Sequence, residues 1–112
     1  MITYALLVFA VAAVGGLVLA SRVLRAKLAP WPISLLHAAL GATGLVLLIR
    51  MLLQGSAPQR VLIAFVLLLI AALGGFLLAS FHLRRKLPPA AIVLVHAGVA
   101  VAGFLTLLSL VL

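Results

Sequence analysis

Three histidines are the side chains of this 112-residue chain best equipped to exchange a proton or ligate a metal near neutral pH. The chain has no cysteine and no Asp or Glu. Thiolate metal sites, disulfides, calcium sites, carboxylate proton relays and paired-carboxylate acid–base chemistry are therefore excluded. No set of nucleophile, base and orienting group is visible, so hydrolysis and group transfer have no support. What remains is imidazole chemistry, and two of the histidines, His37 and His96, stand 59 residues apart in matching surroundings.

That offset runs through the whole chain. Residues 1–53 align with 60–112 without a gap, and 20 of the 53 pairs are identical. Fourteen of those fall among the 24 pairs from Gly15 to Ala38. Hydrophobic segments resemble each other by composition, so the Leu and Ala matches carry little weight. The paired Gly15-Gly16 and Gly74-Gly75, Arg25-x-Lys27 and Arg84-x-Lys86, Pro30 and Pro89, and His37 and His96 carry more. The third histidine, His82, faces Val23 in this alignment and stands beside a basic loop, which makes it an interfacial residue.

The elements that position these residues follow from composition. With 69% hydrophobic and 7% charged residues and a mean hydropathy of +1.56, the chain lacks the polar surface of a soluble domain. Four apolar stretches, near 2–21, 31–53, 61–81 and 89–112, are each long enough to cross a bilayer as a helix. The first lacks a basic leader and has its own counterpart at 61–81, so it reads as a structural helix rather than a signal peptide. Prolines 30, 32, 88 and 89 mark the starts of the second and fourth helices. Residues 54–60, with Gly55, Ser56 and Pro58, form a turn between the halves.

The expected fold class is thus all-α: one transmembrane domain over residues 1–112, a four-helix bundle of two tandem, parallel helical hairpin repeats, 1–53 and 60–112. The net charge of +8 is explained by a lipid bilayer and not by nucleic acid. Six cations (Arg22, Arg25, Lys27, Arg84, Arg85 and Lys86) belong to the first and third connections, against Arg50 and Arg60 on the other side. This bias places the basic loops in the cytoplasm and both termini outside, as in the periplasm of a bacterial inner-membrane protein.

His37 follows Trp31 by six residues, which places it roughly 9 Å below the basic boundary at about 1.5 Å per residue. His96 occupies the same depth. His37, Gly41 and Gly44 share a helix face, as do His96, Ala100 and Gly103. Each histidine therefore heads a stripe of small residues, with the glycine pairs of the other two helices in the same layer. Neutral imidazole is an axial ligand of haem iron. Two of them facing across a bundle would hold one haem b, with small residues leaving room for the macrocycle. Arg25, Lys27, Arg84 and Lys86 would neutralise its propionates.

In this arrangement the chain resembles the small membrane b-type cytochromes, including the cytochrome b561-like four-helix electron carriers. The resemblance implies axial ligation by His37 and His96 and electron transfer within the membrane. It departs from those members that bind two haems, because only one histidine pair is present here. Other readings stay open. Paired histidines are also what a duplicated gene inherits, and they can serve as interhelical hydrogen-bonding residues in a small structural subunit of a larger respiratory or photosynthetic complex. A homo-oligomer with a haem between subunits, and a quinone or pigment in the same cleft, are variants of the first reading. Small multidrug exporters have similar length and four helices but need a membrane-embedded Glu, which is absent. An anion channel lacks a polar pore motif.

Overall fold

The computed structural model describes all residues from Met1 to Leu112 and is all-α. Its helices are α1 (Ile2–Leu24), α2 (Trp31–Leu53), α3 (Gln59–Leu83) and α4 (Ala90–Leu108), each long and apolar enough to cross a membrane. Proline sets three of the four starts. Pro30, Pro58 and Pro89 are the N-caps of α2, α3 and α4, and Pro32 lies in the first turn of α2, where its missing N–H has no helical partner to lose.

Both helices that run toward the basic loops end in the same way. The N–H of Lys27 reaches the Arg22 carbonyl at 3.0 Å, and that of Lys86 reaches the Phe81 carbonyl at 2.9 Å. Ala26 (φ 61°) and Arg85 (φ 53°) turn the chain in the left-handed region. This six-to-one closure usually employs glycine; here two residues with a Cβ perform it.

Three helices end at other residues than expected. α1 continues three residues beyond 21 and α3 two beyond 81, so Arg22 and His82 sit on helices and not in loops. Backbone hydrogen bonds continue to favour helix after the apolar run ends, and a cation near a helix C-terminus complements the dipole. α4 stops at Leu108, short of 112, where the N–H groups of Leu110 and Val111 turn to the carbonyls three residues back, those of Leu107 and Leu108, at 3.0 and 3.1 Å.

Each helix packs on two neighbours: α1 on α2 and α4, α3 on α2 and α4. Buried positions recur at the 59-residue offset, pairing Ala5 with Ala64, Phe9 with Leu68, Ala12 with Ala71, Gly44 with Gly103 and Leu48 with Leu107. Ala5, Leu6, Phe9, Leu48, Val61, Ala64, Leu68 and Leu107 form one core. That core lies toward the end holding the termini, and on the basic side of the histidines only Val93 is buried.

Candidate functional site: a histidine pair on the bundle axis

α2 and α4 lie diagonally across the bundle and share no backbone contact. Their histidines nevertheless meet at its axis, with ring centroids 6.3 Å apart and ring planes at 78°. The positions that bring them there are those matched in sequence.

Each ring is held by the preceding helix in the same way. The Nδ1–H of His37 donates to the Ala12 carbonyl at 2.8 Å, and that of His96 donates to the Ala71 carbonyl at 2.7 Å. A carbonyl can only accept, so the bond assigns the proton to Nδ1 in both rings. Each carbonyl also lies within a helix, and its second lone pair serves the imidazole. Gly16 and Gly75 make this approach possible: a Cβ there would lie 3.0 Å from His37 Cε1 and 3.3 Å from His96 Cε1. Gly15 and Gly74 adjoin the Cβ ends of the same side chains. The glycine pairs are thus the seats of the imidazoles.

With Nδ1 engaged, Nε2 carries the lone pair. Neither Nε2 has a hydrogen-bond partner, and neither is a sealed, unsatisfied atom. Each Nε2 lone pair is therefore left without a partner inside the chain. A hydrogen-bonded distal nitrogen that fixes tautomer and ring orientation is the usual support of a metal-ligating histidine.

The small-residue stripes divide. Gly41 faces open space. Gly44 instead receives the Phe9 ring, and Gly103 receives Leu68, whose Cγ would lie 2.7 Å from an added Cβ. The room expected there for a macrocycle is filled by protein side chains, because matched large residues on α1 and α3 interlock with matched glycines on α2 and α4.

Of the basic rim, Arg25 and Arg84 fold back along their own helix ends. Their Nε–H groups donate to the Ser21 and Ser80 carbonyls at 2.9 and 3.2 Å. The Arg84 guanidinium also lies 4.9 Å from the Phe81 ring centroid. Lys27 and Lys86 are exposed, and none of the four hydrogen-bonds a histidine.

One further aromatic contact lies outside the matched positions. His82 stacks on Trp31 with centroids 3.8 Å apart and planes at 16°, and its Nδ1 lies 3.3 Å from the Ser34 hydroxyl. This joins α3 to α2 at the basic end. The only signal was positional, since Trp31 opens one helix and His82 lies in the last turn of the other. The matched positions are Val23, Ala90 and Val93, which cannot repeat the contact. No family model, curated protein or solved structure matches this chain.

Proposed function

We propose that this chain is an integral membrane haem b protein that carries electrons, with His37 and His96 as the two axial ligands of one haem. The observation that carries this reading is the meeting of two matched imidazoles on the bundle axis, each pinned at Nδ1 and unengaged at Nε2. With ring centroids 6.3 Å apart, the two imidazoles are near enough to share one ligand. Phe9 and Leu68 fill the notches at Gly44 and Gly103, so a macrocycle would have to be received on the basic side of them, where Gly41 faces open space.

When bound, haem supplies one-electron redox chemistry. The chain's own part is to fix both rings and exclude water with apolar surroundings, while its exposed cations balance the propionates. In this reading two tandem hairpins cross a bacterial inner membrane, with the basic loops cytoplasmic and the termini periplasmic. The 59-residue recurrence of sequence, burial and hydrogen bonds supports a parallel repeat, and the six-to-two distribution of cations supports the orientation.

A second reading, a structural subunit of a larger membrane complex, draws on the same hydrogen bonds. Each imidazole already ties two helices together, a contact worth about 0.6–2 kcal/mol in a membrane. Substitution separates the two. Protein purified from haem-replete cells as wild type, His37→Ala and His96→Ala is assayed for bound haem. The haem reading expects about one haem per chain in the wild type and loss of the low-spin spectrum in both variants. A colourless wild type, or variants with an unchanged spectrum, overturns the ligand assignment.

A further inference from the structure

A groove of about 400 Å³ lies between α3 and α4, lined by Ile70, Ala71, Gly74, Leu77, Ala91, Ile92, Val95, His96 and Val99. Its surface is almost wholly apolar, although His96 is among the residues that line it. It spans Ile70 to Leu77 along one helix and Ala91 to Val99 along the other, about 12 Å at roughly 1.5 Å per residue. Its upper end, at Ala91, is one residue below the start of α4 and adjoins the loop that carries Arg84, Arg85 and Lys86. With no acidic residue in the chain, these three charges have no internal counter-ion.

We propose that this groove and loop together form a binding site for one anionic glycerophospholipid, with an acyl chain in the groove and its phosphate against Arg84, Arg85 and Lys86. This inference rests on the membrane reading above and is independent of haem. The loop's own apolar residues favour a lipid over an acidic soluble protein. Leu83 and Leu87, which flank the three cations, are exposed at 71% and 44%. Exposed leucines on both sides of a cation cluster suit the boundary between headgroups and acyl chains; an aqueous protein interface would leave those leucines unfavourably wet. The first hairpin has the same basic pattern, with Leu24 and Leu28 around Arg25 and Lys27. It differs below. Pro32, Leu36 and Leu40 stand where α4 has the smaller Ala91, Val95 and Val99, so the second hairpin is the one assigned the site.

Native mass spectrometry of the full chain, released from nanodiscs of equal phosphatidylglycerol and phosphatidylcholine, tests this. Retention of one phosphatidylglycerol is expected. A charge near an anionic surface contributes about fivefold in affinity. R84Q/R85Q/K86Q should therefore lose retention by more than tenfold, and Ala91→Phe, which fills the groove and leaves every charge, by at least fivefold. R22Q/R25Q/K27Q should lose far less. Absence of phosphatidylglycerol preference overturns the site. So do equal losses in the two triple variants, which indicate a diffuse basic surface, and full retention by Ala91→Phe. Retention unchanged in every variant also overturns it and points to an acidic protein as the loop's partner. Carbonate extraction of the wild type from membranes distinguishes the underlying reading: release into the soluble fraction overturns membrane insertion itself.

Discussion

The two ends of the bundle are built on different principles. Toward the termini, Phe9, Leu48, Leu68 and Leu107 interlock with Gly44, Gly103 and the alanines Ala5 and Ala64 in a close-packed core. Toward the basic loops only Val93 is buried, and the helices are joined by specific polar and aromatic contacts: His37 to Ala12, His96 to Ala71, and His82 to Trp31 and Ser34. One end supplies stability by packing. The other holds the three histidines among fewer apolar contacts, where local opening costs least.

This contrast can be broken most forcefully at Phe9. Phe9→Ala empties the space over Gly44 and should lower stability by about 3–5 kcal/mol, whereas Leu35→Ala, at a position 62% exposed in the basic half, should change it by less than about 0.5 kcal/mol. Equilibrium unfolding in detergent–denaturant mixtures reads both, and equal losses would contradict the division. Next in size are the imidazole seats. Gly16→Ala should cost about 1–3 kcal/mol as an overpacked site and shift the bound-haem spectrum. Gly75→Ala, with a clearance of 3.3 Å instead of 3.0 Å, should do less of both. A reversed order would show that the rings are not seated as described.

The smaller effects sharpen the account of the basic end. His82→Val places the first repeat's matched residue there and removes the stack on Trp31, at a cost of about 0.5–1.5 kcal/mol. Hydrogen exchange should then quicken at the α2–α3 seam near the basic loops and remain unchanged around Leu48. Ala26→Gly relieves a left-handed residue with a Cβ and should raise stability by up to about 1 kcal/mol. A drop in unfolding midpoint for that variant would contradict the strain assigned to the loop.

Sequence alone was a good guide wherever the physics is periodic or repeated. Hydropathy located four helices because an apolar run of about 20 residues has few other uses, and the 59-residue offset singled out His37 and His96. The partners of those histidines were not legible, since Ala12 and Ala71 contribute carbonyl oxygens that any residue possesses. The role of glycine was only half visible. Gly16 and Gly44 look alike in sequence, yet one seats an imidazole and the other a phenyl ring, a distinction made by the neighbouring helix. The stack of His82 on Trp31 escaped because it joins the two halves at positions where they differ, and a reading organised by the repeat looks past such positions.

The most direct test of the central claim is a reduced-minus-oxidised absorption spectrum of the purified chain, with pyridine haemochrome stoichiometry. Paired axial imidazoles predict a sharp low-spin b-type difference spectrum at about one haem per chain. A colourless protein from haem-replete cells would contradict the account and leave His37 and His96 as helix-joining hydrogen-bond donors.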